Sequence, residues 1–319
     1  MEFDGQKILV TGAAGFIGSN IVSKLLNYNC NILGIDNFST GRMENIKDFL
    51  TNQNFTLIKA DIRDFEYLQK NIKDVDIIFH EAALTSVPRS VKDPISTNDT
   101  NINGTLNLLM IARELEVERF IYASSSSVYG ETEILPKQED MPLLPFSPYG
   151  VSKLAAENYV YAFYKVYGLK TVSLRYFNVY GPNQIASPYS GVISIFISSA
   201  LKDQSPIIYG DGNQTRDFTF VQDVVTGNLL AATKESAIGH VFNIANGNQT
   251  SVLELAQKIL QLTKKSYLKI QFNPPRPGDI LHSRADISRA NKSLNYTPHF
   301  NLESGLIETI KWFNNYGFE

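Results

Sequence analysis

The chain has almost no cysteine and no long apolar run, and each absence narrows what it can be. Cys30 is the single cysteine among 319 residues. No disulfide can therefore form within the chain, and no cysteine-rich metal centre is available. Cys30 opens an apolar run and reads as a buried core residue. No stretch approaches the roughly 18 consecutive apolar residues of a membrane span. Residues 1–7 lack the apolar centre of a secretory signal. A reduced cytoplasm is the expected location, and no membrane partner is expected. An excess of one charge is missing too. Twenty-nine basic residues stand against 32 acidic ones, a net charge of -3, which excludes a chain built to coat nucleic acid. Internal repeats and low-complexity tracts are absent. The 43% hydrophobic content excludes disorder and leaves enough for a core.

What is present is an alternation of short apolar runs with helical patterns. Residues 7–10, 32–35, 55–58, 75–79, 119–123 and 170–174 read as strands. Between them, Ile17, Ile21, Val22, Leu25 and Leu26 recur at helical spacing, as do positions in 101–114 and 149–167. Strands alternating with helices predict an α/β fold, a Rossmann-type doubly wound parallel sheet. The rhythm weakens after Gly181-Pro182, where glycine, proline and asparagine become frequent. The expected organisation is a nucleotide-binding domain over 1–180 and a smaller mixed C-terminal substrate domain over 181–319. A strand and helix near 216–235 rejoin the first domain in this reading.

Gly12-Ala13-Ala14-Gly15-Phe16-Ile17-Gly18 joins the first strand to the first helix. Glycines allow a tight turn and close approach to a pyrophosphate, and the helix start offers free N–H groups to it. Placement between first strand and first helix, more than the GxxGxxG spacing, makes this a dinucleotide loop. Asp36 ends the second strand. A carboxylate there accepts from both ribose hydroxyls and repels a 2′-phosphate, so NAD is favoured over NADP. Asp61 and Ile62, after the third strand, flank the adenine in this reading.

Tyr149 and Lys153 stand four residues apart and share one helix face. So do Tyr161 and Lys165 on the same helix, so spacing does not choose between them. Position does: ligands lie beyond the carboxyl ends of parallel strands. Tyr149 begins its helix, whereas Tyr161 lies about 18 Å further along the axis and belongs to the core or a subunit interface. Bringing a phenol from about 10 to about 7 takes roughly 4 kcal/mol. A lysine charge at about 5 Å, in an effective dielectric near 20, supplies about 3 kcal/mol. Lys153 is expected to be that charge. One hydroxyl of Ser124-Ser125-Ser126-Ser127, at the end of the fifth strand, is placed to bridge a sugar hydroxyl and Tyr149.

Together these residues resemble the extended short-chain dehydrogenase/reductase family, and within it the nucleotide-sugar 4-epimerases of the UDP-glucose/UDP-N-acetylglucosamine type. The resemblance runs through 11–18, 36–41, 61–64, 80–83, 101–104, 124–130, 149–153, 174–182, 210–217 and 276–279. It implies that Gly12, Gly15, Phe16, Ile17 and Gly18 meet the pyrophosphate, and that Asp36, Asn37, Ser39 and Gly41 surround the adenosine ribose. Asp61 and Ile62 meet the adenine, while Ala82, Ala83, Asn101, Tyr149, Lys153 and Tyr176 line the nicotinamide half. It selects Ser125 as the catalytic hydroxyl beside Tyr149 and Lys153. The nucleotide sugar would meet Ser86, Ser125, Ser126, Tyr149, Asn178, Val192, Arg216, Arg276, Asp279 and Ser283.

The resemblance also implies a reaction: oxidation at C4 of the sugar, then return of hydride to its other face, with NAD regenerated. Dehydratases and decarboxylases of the family carry acids where this chain has Ser126 and Ser127. Small Ser283, at a gate position, leaves room for an N-acetyl group. Arg89 faces either a sugar substituent, such as a uronate carboxylate, or a loop salt bridge. A homodimer through the helices of Tyr149 and Asn101 is implied. Tyr159, Tyr161, Phe163 and Tyr164 suit such a face or a core. The alternatives are another UDP-sugar enzyme of the same family (a uronate epimerase, decarboxylase or dehydratase) and an NAD-sensing binding protein.

Overall fold

Seven short apolar segments pair side by side in one parallel sheet. They are β1 (Lys7–Thr11), β2 (Asn31–Asp36), β3 (Phe55–Lys59), β4 (Ile77–His80), β5 (Arg119–Ser125), β6 (Thr171–Tyr176) and β7 (Val241–Ile244). Their order is β3-β2-β1-β4-β5-β6-β7. The computed structural model describes residues 3–187, 190–275 and 280–317. Every residue of β4 and β6 is buried, because helices cover both faces of the sheet. That is why β4 reads as an apolar run, Ile77-Ile78-Phe79, without alternation, whereas β6 buries Ser173 and Arg175 between its apolar residues.

On one face lie α1 (Phe16–Leu25) and, later in the chain, a helix at Val221–Thr233. Ile21, Val22 and Leu25 of α1 share a core with Val224, Val225 and Leu229. On the other face lie α2 (Phe65–Asn71), a helix at Gly104–Glu114 and a long helix at Pro148–Tyr167. They contribute Leu68, Leu108, Leu109, Ala156 and Val160. Between β4 and Gly104–Glu114 come α3 (Val87–Lys92), α4 (Pro94–Asn98) and a π turn at Asp99–Asn103. Gly104–Glu114 is therefore α5 and Pro148–Tyr167 is α6. Local sequence sets both ends of α6. Ser147 Oγ caps it by accepting from Gly150 N–H at 3.1 Å, Pro148 fills the first turn, and left-handed Gly168 stops it.

The expected strands are all present, with ends shifted by at most a few residues. Two findings go beyond the sequence reading. The strand expected near 218–221 is a two-residue ladder, Thr219 and Phe220 against Val179 and Tyr180. The segment that extends the main sheet is β7, which pairs with β6 from Val241↔Ser173 to Ile244↔Tyr176. Asn243 interrupts its apolar residues, so it does not read as a buried run. The C-terminal part builds its own core from α7 (Val192–Leu201) and, after Val221–Thr233 (α8), from α9 (Val252–Leu262) and a last helix at Leu302–Tyr316. Crossovers reverse between β1 and β4, and this opens a crevice at the carboxyl ends of the strands. Among the described residues, no helix is long and apolar enough to cross a membrane.

Candidate active site

The crevice above β1 and β4 is a cavity of about 520 Å³. Gly12, Gly15, Phe16, Ile17, Gly18, Asp36, Asn37, Ser39, Ile62, Ala82, Ala83 and Ser86 all line it. Gly12 has φ +69°, which L side chains rarely adopt. A Cβ on it would stand 2.9 Å from Ala82 N. The loop thus lies directly on the residues after β4, and backbone alone forms the floor.

Asp36 is buried and accepts from Ala14 N–H at 2.9 Å and Phe38 N–H at 2.8 Å. Burial pushes its carboxyl above the usual range, and these N–H groups pull it part of the way back. Each oxygen keeps a lone pair for a ribose hydroxyl. Gly41 packs on it, since a Cβ there would lie 2.7 Å from Asp36 Oδ1. Asp61 faces elsewhere: it takes Arg63 Nη2 at 2.8 Å and Asn37 Nδ2 at 2.8 Å. Arg63 holds its carboxyl well below the usual range. Ile62, not the Asp61 carboxylate, lines the cavity there.

Tyr149 begins α6, and its backbone N–H donates to Ser90 Oγ of α3 at 3.0 Å. Ser125 stands beside its phenol, and Ser125 Oγ accepts from Ser127 Oγ at 3.0 Å. Lys153, one turn on, is buried and donates to Ala123 O at 2.8 Å. The sequence reading weighed the Lys153 charge against the phenol's ordinary value and left out burial. Burial pushes Tyr149 above its ordinary value, and Ser125 is what pulls it back. Burial also lowers Lys153 to about 8, with Glu81 opposing. The phenol pays for its dry surroundings before any bound cation helps it. Tyr161 lies outside the core: it is 52% exposed, with Lys165 Nζ 5.4 Å from its ring centre.

A second cavity of about 340 Å³ adjoins the first, and both touch Gln184, Ser190 and Gly191. Asn178, Val192 and Arg216, three of the residues expected to meet the nucleotide sugar, line it together. Ser283 is buried and gives its N–H to Thr215 O at 3.1 Å. It therefore braces the strand that carries Arg216 and is absent from the lining of either cavity. Arg276 and Asp279 lie outside the described residues. Ser126 is half-buried beside Ser125. Arg89 lines the first cavity near Ser86, whose φ of +101° is strained for a residue with a Cβ.

Three side chains act differently from the sequence reading, or were missed by it. The Asn101 amide accepts from Leu84 N–H at 2.8 Å and donates to Leu84 O at 3.0 Å and Ser152 Oγ at 2.9 Å. It ties the loop after β4 to α6. The Tyr176 hydroxyl donates to Glu81 Oε1 at 2.8 Å and accepts from Asn228 Nδ2 at 2.8 Å. Asp217, next to Arg216, is fully buried and accepts three backbone N–H groups, from Asn246, Gly247 and Ala285 at 3.0–3.1 Å. Its signal was in view, a carboxylate directly after an arginine, but its partners lie 29 or more residues away. Among the described residues, no group of three or more His, Cys, Asp or Glu could hold a metal ion.

This strand order, a glycine loop at the first crossover and a Tyr–Lys pair on the helix after β5 define an extended short-chain dehydrogenase/reductase. More narrowly, the chain belongs to the family described as GDP-mannose 4,6 dehydratase, whose pattern matches residues 9–309. It is similar to a UDP-glucose 4-epimerase of Mycolicibacterium smegmatis, at 38% identity over 313 residues, 97% of this chain and 99% of that one. A UDP-N-acetylglucosamine 4-epimerase from Methanobrevibacter ruminantium M1, solved in complex with UDP-N-acetylmuramic acid, is 41% identical with a TM-score of 0.92, covering 98% of this chain and 99% of that one. A UDP-glucuronic acid 4-epimerase from Bacillus cereus, solved with UDP-glucuronic acid and NAD, is 36% identical with a TM-score of 0.88, covering 97% of this chain and 99% of that one.

Proposed function

We propose that this chain is an NAD-dependent 4-epimerase of a UDP-linked sugar that keeps its NAD through turnover. The observation that carries the reading is the pairing of Ser125 with the buried Tyr149 phenol, which it draws back down. It lies at the carboxyl end of β5, one strand from the cavity wall at Ala82 and Ala83. NAD held in the larger cavity supplies a hydride acceptor and then a hydride donor. Gly12 and Gly18 let backbone approach its pyrophosphate, and Asp36 takes its ribose hydroxyls while disfavouring a 2′-phosphate. Tyr149 Oη removes the proton of the sugar 4-hydroxyl, with Ser125 between them, and later returns it. Ser126 and Ser127 offer no acid or base for loss of water or CO₂. Arg216, in the smaller cavity, suits a diphosphate.

The substrate sugars proposed are UDP-glucose/UDP-galactose and their N-acetyl counterparts. Arg89 in the cavity lining favours a second reading with the same chemistry, a uronate as the sugar. The test is product analysis by NMR with UDP-galactose, UDP-N-acetylgalactosamine and UDP-glucuronate, without added NAD. Inversion at C4 is expected. Loss of water or CO₂, or no turnover of any of them, would overturn the reading. We also propose a homodimer: Ile95 of α4 is 81% exposed, and Val91, Val151 and Tyr159 are exposed on α3 and α6. Sedimentation should give twice the chain mass.

A further inference from the structure

Glu81 has no task in the chemistry above, yet it is placed among the groups that perform it. It directly follows β4. His80 pairs with Tyr122 in the sheet, so the next residues, Glu81 and Ala123, stand side by side on neighbouring strands about 5 Å apart. The Ala123 carbonyl is the one that takes the Lys153 ammonium at 2.8 Å. Glu81 also lines the larger cavity beside Ala82, and its Oε1 is held by the Tyr176 hydroxyl at 2.8 Å.

The groups packed around Glu81 can be named element by element. Lys153 approaches from α6, Tyr176 from β6, and Asn228 from α8 through Tyr176. His80 on β4 bonds instead to Thr11 and Thr105 and, held near 3 chiefly by burial, is uncharged at neutral pH. Lys153 is thus the cation that Glu81 meets. Burial raises the Glu81 carboxyl to about 7 and lowers the Lys153 ammonium to about 8, while each partly restores the other. A carboxyl in that balance changes charge state when one further charge enters its cavity.

We propose that Glu81 is the counter-charge of the cofactor cavity: its carboxyl ionises when a cationic, oxidised nicotinamide is bound and is protonated again when the ring is neutral. The inference rests on the reading of the larger cavity as an NAD site. Glu81 is therefore a positioning residue, acting on the charge balance and not on the substrate. The buried Lys153 ammonium and a cationic ring nearby repel, and the carboxylate offsets that repulsion for the oxidised form alone. Binding of NAD⁺ should then release a proton near pH 7, and binding of NADH should not.

The test is calorimetric titration of the full chain, freed of co-purified nucleotide, with NAD⁺ and NADH between pH 5.5 and 7.5. NAD⁺ affinity should rise with pH by about tenfold, the size of one charge interaction of this kind, while NADH affinity stays level. Glu81→Gln keeps an acceptor for Tyr176 but not the charge. It should flatten the NAD⁺ slope and lower the preference for NAD⁺ over NADH by about tenfold at the upper pH. Lys153→Met should keep a slope but move it to higher pH, because Glu81 loses the cation that holds its carboxyl down. Equal slopes for both nucleotides in the unaltered chain would overturn the inference without any variant. So would a slope kept by Glu81→Gln and lost by Lys153→Met, since the proton would then belong to Lys153. Binding of neither nucleotide would overturn the NAD reading, and this inference with it.

Discussion

Gly18 gives the most direct measure of whether the glycine loop is a pyrophosphate site or merely a tight turn. A Cβ at Gly18 would stand 2.1 Å from the Gly12 carbonyl oxygen and 2.8 Å from its carbon. Real Cβ atoms essentially never come closer than 3.0 Å to a neighbour, so Gly18→Ala must part loop and helix by about 0.9 Å, the difference of the two. Both contacts are backbone, so no side chain can swing aside. Overpacking of this kind costs about 1–3 kcal/mol, or about 5- to 150-fold in an equilibrium. The strain is relieved by moving the first turn of α1 away from the loop, which spreads the N–H groups that would grip a pyrophosphate. The cost should therefore appear in NAD⁺ binding more than in folding. Titration calorimetry should show the dissociation constant rising ten- to a hundredfold, with a melting temperature lowered by only a few degrees. Gly15→Ala is the control in the same loop, because its Cβ would meet the same oxygen at 3.0 Å. It should weaken binding several-fold less. Unchanged affinity in Gly18→Ala, or equal losses in the two variants, would refute the reasoning.

Tyr149→Phe should lower kcat by about two to four orders of magnitude, and Tyr161→Phe should leave it within twofold; steady-state rates on the best UDP-sugar decide, and similar losses would mean the wrong pair was chosen. Ser283→Tyr forces a large ring into the buried brace beside Thr215 and should lower kcat/KM for N-acetylated and plain sugars alike, because Ser283 lines neither cavity; a loss confined to N-acetylated sugars would restore the gate. In the nucleotide-free chain, burial holds the Asp217 and Glu81 carboxyls near 7, so the stability they contribute is full below the ordinary carboxylate range and is lost as pH rises towards 7. His80, held near 3, works the other way, being full above its ordinary 6.5 and lost as pH falls. Two groups outweigh one, so the melting temperature should fall from pH 5 to pH 7 at constant ionic strength, and a rise would contradict these burials.

What was legible in the sequence was local or set by the order of elements. The glycine loop, Asp36 at the end of β2 and the strand–helix alternation need only neighbours in the chain. The choice of Tyr149 over Tyr161 needed one global fact, that ligands gather at the carboxyl ends of parallel strands, and the two environments differ accordingly. Illegible features depended on distant partners. Glu81 stands in a motif that was in plain view, but its partner Tyr176 is 95 residues away and Asn228 a further 52. Asn101 was expected beside the nicotinamide, yet its amide is taken up by Leu84 and Ser152. The effect of Lys153 on Tyr149 was misjudged because a Coulomb sum between two residues leaves out the burial of both. β7 was missed because Asn243 breaks its apolar run, and the partners that satisfy Asn243, Tyr129, Glu139 and Lys137, lie more than 100 residues away.

Buried charge in this molecule collects behind the proposed catalytic groups, and the reason is geometric more than energetic. Arg175, 2% exposed, meets Glu157 through Nη2–Oε1 at 2.6 Å and Nε–Oε2 at 3.1 Å. Its Nη1 donates to the Tyr129 hydroxyl at 2.9 Å, which donates to Asn243 Oδ1 at 2.6 Å. Ser124 Oγ donates to Glu157 Oε2 at 2.5 Å. Well-packed apolar residues could fill this volume at no loss of stability and often at a gain. Apolar contacts, however, tolerate small slides, whereas a bidentate pair with its remaining lone pairs filled tolerates few. The network joins β5, α6, β6 and β7 at positions next to the chemistry: Ser124 precedes Ser125, and Glu157 lies one turn after Lys153. Ser125 and Tyr149 lie on a strand and a helix, and the polar contacts between those elements, Ser124 to Glu157 and Lys153 to the Ala123 carbonyl, sit where an error in register would part the two hydroxyls.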